Sequence, residues 1–344
     1  MTNAGVTAGI VNLSNATGAL ILTNGTITAA ALTNSGAGSA TIYSTLNLGT
    51  GTLVKSGSGT LTLNASNTMA AASLTGGSTI LGNAGGLGGT NNPITLGGGT
   101  LNLNGNTIAT AALTFTSGAI TNSSGTLSSL AATNSSAQTF GGSLNGNLAL
   151  TKNAGVGTLT LSASNNYTGG TTIGAGQVTL GNAAALGTGS VTVNSGTLNL
   201  GGFSLSADNQ TFTLSGGTIG GGTLTSASSG FANLTNGTVS AVLAGAGSLT
   251  FNNGAGTLTL SGANTFLGGV TLNSGTLGVT NGGTLGSASG AVTVNGGTLD
   301  LGSGTLTMGS LLLNGGTVQN GSISNTAVTM TNPMTLNALS LIHI

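Results

Sequence analysis

Along residues 189–202, Gly-Ser-Val-Thr-Val-Asn-Ser-Gly-Thr-Leu-Asn-Leu-Gly-Gly, the apolar side chains fall on alternate positions. Val191, Val193, Leu198 and Leu200 therefore share one side of two short strands, while Thr192, Thr197 and Asn199 point the other way. Asn194-Ser195-Gly196 between them is turn chemistry, with a glycine free to take positive φ. Similar corners stand at Asn24-Gly25, Asn236-Gly237, Asn295-Gly296-Gly297 and Asn314-Gly315-Gly316. A period of two holds along the chain, and no segment sustains the spacing of an amphipathic helix.

The alternation is packaged in a phrase, Gly-Thr-Leu-x-Leu, that returns about every twenty residues. Its strongest copies are Gly59-Thr60-Leu61-Thr62-Leu63, Gly157-Thr158-Leu159-Thr160-Leu161 and Gly256-Thr257-Leu258-Thr259-Leu260, with looser copies between them. A unit this short cannot bury a core alone and must stack on its neighbours. An Asn-Gly corner between strands would by itself suggest a hairpin. The repeat outweighs that reading and predicts an all-β, right-handed parallel β-helix of about sixteen rungs, with antiparallel pairing as the alternative. Leu stacked on Leu fills the interior, each contributing roughly 1.5–3 kcal/mol.

A longer period overlies the short one. The strong copies begin at 59, 157 and 256, just under a hundred residues apart, and head blocks near 53–105, 150–202 and 249–302. Five rungs are read as one duplicated unit. No linker or break in composition interrupts residues 1–338, which are expected to form one continuous solenoid.

Composition narrows the partners. The 344 residues hold 66 glycines and no cysteine, and the only charged side chains are Lys55, Lys152, Asp208 and Asp300. Such a chain could be low-complexity disorder, but its apolar residues reach 38% and alternate with Thr, Asn and Ser. Nucleic acid is an unsuitable partner, since phosphate neutralisation needs clustered Lys and Arg. No apolar run is long enough for a transmembrane helix.

The blocks resemble the autotransporter-associated β-strand repeat of bacterial type V secreted passengers. The residues that carry the resemblance are Leu150-Thr151-Lys152, Gly157-Thr158-Leu159-Thr160-Leu161-Ser162, Asn165-Asn166-Tyr167-Thr168-Gly169-Gly170, Ala185-Leu186-Gly187 and Val191-Thr192-Val193-Asn194. The third copy keeps Asn264-Thr265-Phe266 and Gly268-Gly269, whereas the first has Met69-Ala70-Ala71-Ala72 in place of the aromatic and its Thr-Gly-Gly. The resemblance implies a passenger exported through the outer membrane by a C-terminal translocator β-barrel. It further implies display at the bacterial cell surface, with a structural or adhesive role that would include host-surface contacts, while the near-absence of charge favours contacts with its own kind. The alternative is a free secreted binding solenoid.

Neither a signal peptide nor a barrel is in view, so the chain is expected to be a fragment. Residues 339–344, Leu-Ser-Leu-Ile-His-Ile, contain no Gly, Thr or Asn and hold the one histidine. A back-translation, CTG TCT CTT ATA CAC ATC, resembles the transposon end used in sequencing libraries. The tail is therefore expected to be adapter-derived.

Chemistry is sparse. Parallel β-helices also carry polysaccharide lyases and hydrolases, whose sites need clustered carboxylates. Asp208 and Asp300 lie some five rungs apart, and a Ser-His-Asp arrangement would need His343. Calcium-binding solenoid repeats need an Asp in every turn. Gly216-Gly217 and Gly220-Gly221-Gly222 lack the Lys of a phosphate loop. No catalytic, cofactor-binding or metal-binding residue is assigned, and the chain is read as no enzyme.

Lys55 and Lys152 take equivalent places, two residues after Leu53 and Leu150, with Phe251 there in the third copy. They are read as solvated outward positions inherited by duplication, or as contacts for an acidic partner. Asp300, between Leu299 and Leu301, should face out. Tyr167 and Phe266 are read as corner aromatics packed over the solenoid edge. The pairs Thr60/Thr62, Thr158/Thr160, Thr257/Thr259 and Thr305/Thr307 share outward faces, and if stacked regularly they would resemble the threonine arrays of ice-binding solenoids.

Overall fold

Because alternate side chains are apolar and Asn-Gly corners recur, the chain builds short strands that pair in parallel with their counterparts one turn away. The structure is a computed structural model that describes residues 5–89, 92–110, 112–324, 328–333 and 335–337, and the backbone of 340–342. Every regular element among the described residues is a strand, and the strands stack as a parallel β-solenoid of about sixteen turns. Of the suspected adapter tail, 339, 343 and 344 lie outside the described residues, so the candidate His343 does too. Two compact units are present, Met1–Gly189 and Ser190–Ile344.

In the first unit each turn visits three ladders in succession. The first stacks 31–34, Thr52–Lys55, Ala71–Leu74, 94–96 and 113–115, then Gln138–Phe140, Thr158–Leu161 and Gln177–Leu180. The second runs from Ala19–Leu22 and Ser39–Ile42 through Thr60–Leu63, Ser78–Leu81, 100–102 and 119–122 to Ser143–Gly146. The third ends in Thr107–Thr110, Ser128–Ala132, Leu148–Lys152 and Thr171–Ile173. Corners fall where expected; Asn24 and Gly25 hold φ of 64° and 75°.

The second unit repeats the plan. Its first ladder contains 257–260, 276–279, Thr298–Asp300 and Thr317–Gln319. Here Leu258, Leu277, Leu299 and Val318 form an in-register apolar file, all fully buried. Alternation of apolar with polar residues is broken in the strand Ser78–Leu81. In Ser78–Leu81 the inward residues are Thr79 and Leu81, while Ile80 turns outward, so a threonine hydroxyl enters the core.

The long sequence period is not a whole number of turns there. Thr60–Leu63 lies on the second ladder, yet its repeat, Thr158–Leu161, lies on the first. Between them the chain makes four turns on the second ladder, to Ser143–Gly146, and then crosses only Leu148–Lys152 before Thr158. Corner segments of uneven length absorb the residues that a fifth full turn would need. The two copies therefore point their outward threonines in different directions.

Candidate functional site

The most regular constellation is a corner that each block builds from the same residue types. In the first block the Asn67 side-chain Oδ1 accepts from the Leu46 N–H at 2.9 Å, and its Nδ2 donates to the Gly86 carbonyl at 2.7 Å. Asn165 repeats this between Leu144 N–H, 2.8 Å, and Ala185 O, 2.6 Å. Asn264 does so between Leu243 N–H, 2.8 Å, and Thr284 O, 2.6 Å. All three asparagines are buried. Each joins the turn before it to the loop after it, where a strand ladder gives way to irregular chain whose backbone groups still need partners.

Two residues on, Met69, Tyr167 and Phe266 enter the core beside that loop. The space is made by Gly88, Gly187 and Gly286, all at positive φ (87°, 62° and 92°). A Cβ at Gly187 would stand 3.0 Å from the Tyr167 ring, and one at Gly286 would stand 2.9 Å from the Phe266 ring. Tyr167 and Phe266 are thus fully buried, further inside than an edge-covering aromatic. The Tyr167 hydroxyl pairs with Thr171 Oγ1 at 2.5 Å, and burial pushes its phenol well above the usual range against that hydrogen bond. Phe266 packs edge-on against Phe231, with centroids 5.7 Å apart.

The lysines overturn their expected place. Lys55 and Lys152 are fully buried and face inward, with the parity of Leu53 and Leu150. Each ammonium donates to main-chain carbonyl oxygen at a corner, three carbonyls for Lys152 and one for Lys55. Lys152 Nζ donates to Asn134 O at 3.2 Å, to Gly155 O at 2.6 Å and to Ala154 O; Lys55 Nζ donates to Gly57 O. Three carbonyls use the three ammonium donors of Lys152, which is how the corner tolerates the charge without a carboxylate. Desolvation still lowers both pKa values from 10.5. The same slot in the third block holds the buried Phe251 ring.

The two carboxylates serve separate corners. Exposed Asp208 accepts hydrogen bonds from the Ser229 hydroxyl and N–H, the Ala227 N–H and the Ser226 hydroxyl, which hold it well below the usual carboxylate range. Asp300 faces outward, as expected, between buried Leu299 and Leu301. Desolvation works to raise its pKa, but the donors Asn320, Gln319 and Gly302 N–H, each at 2.9 Å, outweigh it and lower it. The two sets of partners share no residue. Among the described residues no group of three or more His, Cys, Asp or Glu is placed to hold a metal ion.

The threonine pairs do face outward but do not stack on one another. In the first unit Thr60 is in register with Ser78, and Thr158 with Gln177. In the second, Thr257, Thr276, Thr298, Thr317 and Thr335 form one in-register file, while the file beside it reads Thr259, Gly278, Asp300, Gln319, Asn337.

A stack of parallel turns closed by a repeated corner, a buried Asn followed by a large apolar or aromatic side chain, defines a β-solenoid of duplicated blocks. The passenger-associated-transport-repeat family model matches residues 53–87, 150–180 and 253–279, the stretches that lead into or contain those corners. Over 68 residues the chain is 56% identical to an adhesin, the BmaC autotransporter of Brucella suis biovar 1 (strain 1330). That match spans 20% of this chain and 2% of the relative. No solved structure gives a significant match. These partial matches support an autotransporter passenger region carrying such repeats, and that similarity implies a cell-surface or secreted location.

Proposed function

We propose that the chain is a structural and adhesive passenger whose working parts are repeated, uncharged strand faces in place of a single catalytic site. In the intact parent a translocator β-barrel tethers it to the outer membrane, and its contacts are with host surfaces or with further copies of itself. One observation carries the reading. The chain has four charged side chains, and two of them, Lys55 and Lys152, are buried, so the outward faces present mainly Thr, Ser and Asn. Surfaces without net charge repel one another weakly. The relative that matches part of the chain is itself named an adhesin.

The test is display of the parent protein on cells, with settling and surface attachment measured. Clumping or attachment that is lost when Thr62 and Thr160 are replaced by Lys supports the reading. Equal behaviour of displaying and non-displaying cells overturns it. The second reading, a free secreted solenoid that binds an ordered surface such as ice, rests on the five-threonine file from Thr257 to Thr335. An ice recrystallisation assay on the purified chain decides it, and growth as in buffer removes it.

A further inference from the structure

The second ladder of the second unit is interrupted. After Val242–Ala244 it passes through Asn264–Phe266 and the turn-rich segment 280–290, and a strand resumes only at Thr305–Thr307. Among the described residues that strand is paired on one side alone, with Ser322–Ser324. Its other side looks across a cleft of about 340 Å³ onto the loop 282–288. Val279, Leu285, Leu301 and Leu306, all buried, line the cleft, and Thr305 and Thr307 stand exposed beside it.

The first unit has a smaller version. Among the described residues Thr107–Thr110 pairs with Ser128–Ala132 alone, and a cleft of about 170 Å³ separates it from the loop 84–89, with Leu87, Ile94 and Ile108 lining it. Both clefts follow the same phrase, Leu-Gly with the glycine at positive φ, at Leu87-Gly88 and Leu285-Gly286.

A strand edge with open N–H and C=O groups is a template for another strand unless charge, proline or a bulge blocks it. Neither edge carries a charged residue or a proline. No residue lining either cleft is ionisable, so a charged occupant would enter unpaired, at high desolvation cost. What fills this slot where the ladder is complete is also visible: Thr223-Leu224-Thr225 and Val242-Leu243-Ala244, each with its central leucine buried.

We propose that the cleft between 282–288 and Thr305–Thr307 is a docking slot for one extended, uncharged peptide strand. A leucine of that strand points into the cleft between small or hydroxyl-bearing neighbours, and its backbone completes the open edge as an added rung. This slot stands apart from the adhesive reading, which concerns the outward faces.

The probe is acetyl-Thr-Leu-Thr-Leu-Thr-amide carrying a terminal fluorophore, titrated into the whole chain by anisotropy. A second peptide has Asp at its first leucine. Ala288, exposed at the cleft, is replaced by Trp to cover it while leaving the core alone. Saturable binding is expected, weaker by roughly tenfold or more for the Asp peptide and for Ala288→Trp, a loss of about 1.4 kcal/mol. A benzophenone version of the peptide should crosslink within 282–308. Absence of saturable binding to the unaltered chain, equal binding by Ala288→Trp, or crosslinks confined to other residues would overturn the slot.

Discussion

Thr79 sits where its neighbours in the stack carry leucine, and its hydroxyl has no hydrogen-bond partner although the residue is buried. A buried hydroxyl without a partner costs free energy that an isosteric methyl does not. Thr79→Val should therefore raise stability by about 1 kcal/mol, read as a higher denaturant midpoint. A lower midpoint would mean that the hydroxyl is satisfied after all. The lysines make a second residue-scale prediction, legible because so few groups titrate. Their folded pKa values lie below 10.5, so between the folded value and 10.5 the unfolded chain holds more protons, and stability rises with pH. Tyr167 acts oppositely: its raised pKa means stability is lost as pH climbs past 10.0. Denaturant midpoints should climb as pH rises toward the onset of tyrosine ionisation, and that climb should flatten in a Lys55→Met, Lys152→Met double variant. An unchanged slope would remove the lysines as its cause. Their inward direction was available in the sequence, since each stands two residues after an inward leucine. Charge argued for the outside, and what reversed it, main-chain carbonyl acceptors at the corner, is set by backbone geometry that residue types do not display.

At the scale of the element, the repeat is defined less by its strands than by the corner that interrupts them. The alternation of Leu with Thr predicts the strands correctly almost everywhere, because one face of each is dry. It says nothing about where a ladder stops. That information lies in Asn165 and its counterparts, whose recurrence is plain in the sequence but whose work, one bond back to a strand and one forward to a loop, appears only when three successive turns are in place. Asn165→Leu should cost about 2–3 kcal/mol, because it strands the Leu144 N–H and the Ala185 carbonyl. Asn166→Leu, at the exposed neighbouring position, should stay within about 0.5 kcal/mol. Equal losses from the two would show the corner to be held by packing alone. The same dependence on context hides the offset between the first two blocks. Sequence similarity aligns Thr60–Leu63 with Thr158–Leu161, but which ladder each joins depends on the summed lengths of all the corners between them.

For the whole molecule the consequence of this composition is resistance to cleavage. The chain has no arginine, so trypsin can act only after Lys55 and Lys152, and both lie buried in paired strands. Cleavage then requires opening of the stack at those turns, and its rate follows the population of the opened state. Trypsin should leave the native chain whole under conditions that cut the denatured chain into three pieces. Position within a turn of the solenoid should decide the susceptibility of any added site. Val156 is 85% exposed in a corner, whereas Thr160 is held in a strand paired on both sides. Val156→Lys should therefore admit a cut in the native state, while Thr160→Lys, equally charged and only four residues away, should not. If both variants were cut at the same rate, the corners and the ladders would be opening together, and stability would belong to the whole stack more than to its separate turns.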